Sequence, residues 1–483
     1  MVVMDEGAPV TPFRLEPWYR RNVRDESATA TQTVTEPHAS AKAGTHAWAR
    51  LMVVSPPSLR QELPVPKTGI VCGRKPGDDG VPIVHRTVSR RHLQIRREGP
   101  AIYSIADAGS RNGTWHNGEP VGALPRVLAH GDVIRFGDVV AVFECGEDGL
   151  RESPSVRAQA VVGRSAAVIG LRQAIERAAR DTAPVLVEGE SGSGKESVAA
   201  ELHRLSGRNG PLVIANCAAL SASLVDSQLF GHERGAFTGA VTSQEGFFRA
   251  AGGGTLFLDE FGELPLEVQP KLLRAVEAGE VVPVGQAKAH VVDTRVIAAT
   301  HRDLEGDIES GRFRRDLFAR ISLLRVRVPP LRERRADIVA WLNLFVERWR
   351  QRQGLPAAQL EITPRAVETM LLAAWPENLR GLDRLAHRCG ALAGIEPVRP
   401  DVVLEVVGEG ARTASAPSST PSAPSPSPSV AKGPRPPKPS AAALREALES
   451  SGWNIRAVAR HYARDRRQVY RWMDAYGIER PPE

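Results

Sequence analysis

The chain has 483 residues, 42% hydrophobic and 25% charged, a mix typical of soluble globular protein and a length for about three to four domains. Its net charge of +7 is mild for that length; it permits nucleic-acid binding without requiring it. Scattered Cys72, Cys145, Cys217 and Cys389 argue against a disulfide framework or zinc cluster, and no apolar run reaches the roughly 18 residues of a membrane span, so a cytoplasmic protein with free thiols and no membrane contact is expected.

Residues 1–47 are polar and mixed, with a Thr-rich patch, and read as a weakly ordered arm. Over residues 48–150, short alternating apolar runs such as "LMVV", "YSIAD" and "VVAVFE", separated by Gly, Asp and Asn turns, predict an all-β domain. Over residues 160–404, strands such as "PVLVEG", "TLFLDE" and "TRVIAAT" alternate with helical stretches. That pattern predicts an α/β domain with a parallel sheet and a helical region after it. Residues 411–440 hold nine Pro and eight Ser, the composition of an extended linker. Residues 441–483 return to helical periodicity and predict a small all-α domain.

The second domain carries nucleotide chemistry. In "PVLVEGESGSGKES", Gly189, Glu190, Ser191, Gly192, Ser193, Gly194 and Lys195 fit GxxxxGK. Small residues let backbone N–H groups close around phosphates, and Lys195 adds positive charge at the β and γ oxygens. The next position, which in the general pattern is a Ser or Thr for magnesium, is Glu196. Downstream, the apolar strand in "GGGTLFLDE" ends in Asp259-Glu260. Asp259 is placed to hold Mg2+, and Glu260 to polarise an attacking water. ATP and Mg2+ are the expected cofactors.

These motifs, with those around them, resemble the AAA+ domain of bacterial enhancer-binding proteins, the ATPases that activate sigma-54 RNA polymerase. The resemblance covers residues 161–395. In that family the phosphate loop reads GESGTGKE, which accommodates Glu196. "NCAAL" resembles the segment whose Asn, here Asn216, holds the catalytic Glu inactive until ATP arrives. "TRVIAATHRDL" resembles the sensor I strand, with Thr300-His301 where Thr-Asn is common. "FRRDLFARI" resembles the arginine-finger segment, which implies that Arg314 and Arg320 reach a neighbouring subunit's nucleotide in a hexameric ring. "WPENLRGL" resembles the sensor II motif WPGNVREL and implies that Arg380 reads the nucleotide, although Glu377 and Gly381 depart from the pattern. The family signature GAFTGA is intact as Gly235, Ala236, Phe237, Thr238, Gly239 and Ala240, which implies a projecting loop that touches sigma-54.

Two flanking modules complete the reading. "VCGR…TVSRRHLQI…DAGSRNGTWHNGEPV…LAHGDVIRFGD" resembles a forkhead-associated (FHA) domain, a β-sandwich whose loops bind phosphothreonine peptides. Arg74, Ser89, Arg90, Arg111 and Asn112 match the loop positions facing phosphate or peptide backbone, while His92 is expected to brace a loop. The implied partner is a phosphothreonine protein or a Ser/Thr kinase; the chain's own Thr29, Thr31, Thr33 or Thr35 is the intramolecular alternative. "ALREALESSGWNIRAVARHYARDRRQVYRWMDAYGI" resembles a Fis-type helix-turn-helix, which implies that Arg466, Arg467, Gln468 and Arg471 reach upstream DNA. The whole reads as a sigma-54-dependent transcriptional activator with an FHA input. Two other readings stay open: a phosphopeptide-binding scaffold with a vestigial ATPase, and an AAA+ enzyme that remodels other targets.

Overall fold

The computed structural model describes residues 48–78, 80–99, 101–146, 151–221, 224–237, 240–414 and 439–450, together with Val458, Tyr462, Trp472, Met473, Tyr476 and Ile478. Contacts divide the chain into two units, one ending at Ala416 and the other beginning at Pro417.

The first unit opens with a two-sheet β-sandwich. One sheet runs in the order Gln61–Pro64, Trp48–Ser55, Val139–Gly146, Val133–Phe136, Thr114–His116, Glu119–Val121. The other runs Val81–Pro82, Ile70–Gly73, Leu93–Arg97, Tyr103–Asp107, Arg126–Leu128. Leu51, Val53, Ile95, Ile105, Phe136 and Phe143 fill the space between them. Exposure does not alternate along Trp48–Ser55, however: from Ala49 to Ser55 every residue is buried, Arg50 in a pair with Glu144. Successive strand side chains point to opposite faces, so something must cover the second face. Met52, Val54, Val133, Val140 and Val142 belong to the hydrophobic core of a helical subdomain near the end of the unit. The runs Leu51–Val54 and Val139–Phe143 are thus apolar throughout because the sheet is covered on both sides.

The covering subdomain comprises helices Ile338–Arg352, Pro364–Leu372, Asn378–Leu392 and Pro400–Ala414, packed around Leu342, Met370, Trp375, Leu382 and Leu385. Trp375 donates its indole N–H to the Met370 carbonyl at 2.8 Å. The two departures from the sensor II pattern are absorbed locally: Gly381 lies against the Trp375 ring, and Glu377 pairs with Arg384. Across the seam with the sandwich, Arg135 pairs with Glu368 at 2.7 Å, both side chains 8% exposed. Its guanidinium also stacks on Trp115, 3.6 Å from the ring centroid. Breaking a buried pair leaves a bare charge, whereas replacing both partners with apolar groups does not. Glu368→Ala is therefore expected to cost roughly 3–5 kcal/mol, and Arg135→Met with Glu368→Leu much less. Denaturant unfolding of the three proteins checks this.

In chain order between sandwich and helices comes a parallel sheet, its strands arranged Leu212–Asn216, Thr255–Asp259, Arg295–Thr300, Val185–Glu188, Leu324–Arg327. Its central strands are apolar runs buried on both faces, as the βα alternation predicts. Register aligns Asn216 with Asp259 and Glu188 with Thr300, so the chemically distinctive residues gather at the carboxyl ends of the strands, where open α/β sheets bind ligands. Cys72, Cys217 and Cys389 are buried free thiols and Cys145 is half-buried. Burial pushes the Cys217 thiol up to about 12, which suits packing and not nucleophilic chemistry.

The second unit holds helix Ala441–Ser450. Leu444 and Leu448 pack with Val458, Trp472, Met473 and Ile478, which gives the last segment a small core of its own. Among the described residues, no helix is long and apolar enough to cross a membrane.

Candidate nucleotide and phosphopeptide sites

The strand Val185–Glu188 delivers the chain into the loop Gly189–Gly194, and helix Lys195–Leu205 begins directly after it. Gly192 (φ 72°) and Gly194 (φ 104°) take left-handed conformations that glycine adopts at no steric cost. At Gly192 a Cβ would also lie 2.4 Å from the Glu377 carbonyl oxygen, so the loop and the helical subdomain meet too closely for any side chain. Lys195 donates to the carbonyls of Gly189 at 3.0 Å and Glu190 at 3.4 Å. Burial lowers its pKa, and the nearby Glu260 and Asp259 carboxylates oppose that shift. Glu196 is exposed in the helix's first turn.

Asp259 ends its strand beside this loop. Burial and the adjacent Glu260 raise its pKa, and its Oδ1 is buried without a hydrogen-bond partner. A carboxylate that is penalised by burial, has one oxygen without a partner and lies near a phosphate-type loop suits a divalent cation. The donor set therefore fits Mg2+. Glu260 takes a left-handed backbone (φ 51°) unusual for a non-glycine residue, and its Oε2 accepts from His301 Nδ1 at 2.5 Å. Asn216 makes no such contact; its Oδ1 caps the following turn by accepting from the Ala218 N–H at 3.0 Å. In this conformation His301 restrains the carboxylate. Thr300 is buried, with its hydroxyl accepting from the Arg302 N–H at 3.0 Å.

The helical subdomain grips the loop from the other side. Arg380 donates to Ser191 Oγ at 2.8 Å, and the Leu379 N–H to the Gly192 carbonyl at 3.0 Å. Three contributors were not legible as site residues. Arg332 pairs with Glu190 at 2.6 Å and holds that carboxyl below its usual range. Asn378 bridges Glu190 and the Ser191 carbonyl at 3.1 Å each. Buried Arg334 donates to the Ser193 carbonyl at 2.7 Å. The sequence signal for two of them was their place in the Arg-rich "PPLRERRADI", which did not say which arginine faced the loop.

Arg314 and Arg320 stand apart. Both are exposed, at the start and end of helix Arg315–Ile321, and neither hydrogen-bonds to the phosphate loop. Arg314 pairs with its neighbour Asp316 at 2.6 Å.

The segment containing Phe237 rises from a short antiparallel pair, Gly231–His232 with Gln244–Glu245. Gly235 (φ 83°) has open space where a Cβ would sit, and its N–H bonds the Ala240 carbonyl at 2.8 Å. Ala236 lies against Gly285. The half-buried Phe237 ring packs on His232, centroids 5.0 Å apart, and Val241 beyond the turn is 75% exposed. Thr238 and Gly239 lie outside the described residues, as do Arg466, Arg467, Gln468 and Arg471.

On the sandwich, Arg74 follows strand Ile70–Gly73, and its N–H bonds the Ser89 carbonyl at 2.8 Å. Ser89 Oγ accepts from the Arg111 N–H at 2.9 Å, which leaves the hydroxyl hydrogen available to a ligand. Asn112 donates to the Thr87 carbonyl at 2.7 Å. Buried His92 accepts from the Ser89 N–H and donates to the Gly113 carbonyl. Burial lowers its pKa, so it braces two loops as a neutral ring. Arg74, Arg90 and Arg111 are exposed and form no ion pair among the described residues. Unpaired guanidinium groups around a hydroxyl are what a phosphate monoester needs.

Residues 161–327 match the sigma-54 interaction domain family, and residues 70–137 the FHA domain family. The chain carries both domains. Among curated relatives, the anaerobic nitric oxide reductase transcription regulator NorR of Salmonella paratyphi C is 44% identical over 54% of this chain and 51% of its own. The transcriptional regulatory protein ZraR of Klebsiella oxytoca is 44% identical over 54% and 58%. The chain spans about half the length of the curated relatives first matched. A crystal structure of NtrX from Brucella abortus in complex with ATP shares 30% identity over 66% of this chain and 69% of that one, with a TM-score of 0.49. The sigma-54 interaction domain holds both the phosphate loop and the Phe237 segment; the FHA domain holds Arg74, Ser89, Arg90, Arg111 and Asn112.

Proposed function

We propose that this chain is a sigma-54-dependent transcriptional activator. In this reading it binds DNA upstream of its promoters, assembles as a hexameric ring, hydrolyses ATP and remodels the closed complex of sigma-54 RNA polymerase. The observation that carries the reading is the convergence of Lys195, Asp259 and Glu260 at the carboxyl ends of the parallel strands, within a sigma-54 interaction domain that also presents Phe237. Lys195 and the loop amides hold the β and γ phosphates; Mg2+ bound at Asp259 would neutralise developing charge there. Glu260, released from His301, orients the attacking water, and Arg380 reports the nucleotide to the helical subdomain. The deciding experiment is transcription from a sigma-54 promoter with purified polymerase. Activation that needs hydrolysable ATP supports the reading; ATP turnover without activation would favour an AAA+ enzyme for other targets.

Exposed Arg314 and Arg320 suit catalysis in trans, because a positioned guanidinium stabilises charge on the transferred phosphoryl group. Lys195→Ala and Arg314→Ala proteins, each inactive alone, are expected to recover ATP turnover when mixed. A mixed ring pairs an intact loop with an intact finger. Failure to recover in rings shown to be mixed would place Arg314 in cis or in a purely structural role.

We assign DNA reading to residues 441–483, with Arg466, Arg467, Gln468 and Arg471 facing bases or phosphates. Deleting this segment is expected to abolish footprinting at the upstream site while sparing ATP turnover at high protein concentration. The small separate core around Leu444, Leu448 and Trp472 supports that independence. Input comes through phosphothreonine at Arg74 and Ser89, and the setting is the cytoplasm.

A further inference from the structure

The FHA domain does not stand free of the ATPase. Its second sheet face is built into the helical subdomain's core, and beside that shared core the two parts line an open cavity of about 540 Å³. This volume falls within the range of ligand pockets, roughly 300–1,000 Å³. Thr87, Asn112 and Trp115 line it from the FHA side, and Arg365 and Arg399 from the helical side. Asp138 is the acid in the lining, and Arg135 also borders the cavity with its charge committed to Glu368.

Two features tie the cavity to the phosphate-reading loops. Asn112 lies in its wall, and the preceding residue, Arg111, gives its N–H to Ser89 Oγ. A peptide seated at Ser89 therefore has this cavity as its next neighbour along the Asn112 side. Arg365 and Arg399 are exposed and neither forms an ion pair among the described residues. Two unpaired guanidinium groups beside one aspartate leave the helical wall positively charged, which favours carboxylates as charge-assisted acceptors.

We propose that the phosphopeptide site is composite. The FHA loops hold the phosphothreonine, and Arg365 and Arg399 of the ATPase's helical subdomain hold acidic side chains that flank it. This inference rests on the phosphothreonine reading of the FHA loops and adds a second wall to it. The partner is thereby narrowed to a phosphothreonine segment with an acidic flank, and its binding bridges the input domain and the subdomain that carries Arg380.

The test uses the full chain and three fluorescent peptides in anisotropy titrations: a phosphothreonine peptide with glutamates on both flanks, the same with glutamines, and the unphosphorylated glutamate peptide. The acidic phosphopeptide is expected to bind about tenfold tighter than the neutral one, equivalent to about 1.4 kcal/mol. The unphosphorylated peptide should bind far more weakly. Arg365→Gln with Arg399→Gln is expected to erase the acidic advantage and leave the neutral phosphopeptide's affinity unchanged. Arg74→Ala is expected to weaken both phosphopeptides. If both phosphopeptides bind equally in an Arg74-dependent way, or the advantage survives the double substitution, the composite site is wrong and the FHA reading stands. If the unphosphorylated acidic peptide binds as well as the phosphorylated one, the cavity is a general acid-binding surface and the composite site fails. If no phosphopeptide binds, the FHA reading itself fails and takes this inference with it.

Discussion

Glu260→Gln is expected to lower ATP turnover by roughly 10^2–10^4-fold, the usual contribution of a positioned acid–base group, while nucleotide affinity changes little. The two effects separate because different residues carry them. In the proposed reading, Lys195, the loop amides and Asp259 would engage phosphate and metal, whereas Glu260 would meet the attacking water. Gln keeps the volume and one oxygen but loses the charge that polarises water. It can still meet His301, now as a neutral acceptor, so the contact at 2.5 Å in the unsubstituted protein should weaken without a change of fold. Turnover assays set beside nucleotide titration of the purified variant read the two quantities independently. Equal losses in binding and turnover would mean that Glu260 shapes the nucleotide pocket, and the water-orienting role would pass to another residue.

The same residue shows where reading the sequence stopped. The loop Gly189–Lys195 and the strand ending at Asp259 were legible because each is local: a glycine pattern after an apolar run, and an acid pair at a strand's end. That the sheet is parallel followed from the alternation of strands and helices; the order of its strands did not. The Glu260–His301 contact spans 41 positions and depends on which strands are neighbours, so no spacing rule reveals it. Family resemblance pointed to Asn216 as the restraint, whereas in this conformation Asn216 caps its own turn. The run Leu51–Val54 was visible as apolar, yet it was read as half of an alternating strand, and nothing local in it names a cover for the second face. The Arg135–Glu368 pair, 233 positions apart, was beyond any local rule. Long-range charge pairs of this kind are set by tertiary packing, and packing brought the FHA sheet onto the helical subdomain.

Phe237→Ala is expected to leave ATP turnover within about twofold of the unsubstituted protein, consistent with a residue outside the hydrogen bonds of the phosphate loop, and to abolish activation at a sigma-54 promoter. The expected loss is nearly complete because the loop presents little else of size. Gly235, Ala236 and Ala240 flank the ring with small side chains, and Gly235 makes the turn possible through its left-handed backbone. Phe237 rests on His232 at 5.0 Å between centroids and is only half-buried. An aromatic ring that is partly exposed on a tight turn can leave its intramolecular contact for a partner's apolar pocket at small cost, and aromatic anchors dominate many interfaces. Phe237→Tyr separates size from chemistry: it keeps the ring and should retain part of the activity. His232→Ala removes the resting place of the ring without removing the ring, and should impair activation less than Phe237→Ala does. Open-complex formation measured beside ATP turnover for all three variants checks the assignment. Full activation by the Phe237→Ala protein would remove this loop from the sigma-54 contact and shift attention to exposed Val241 next to it.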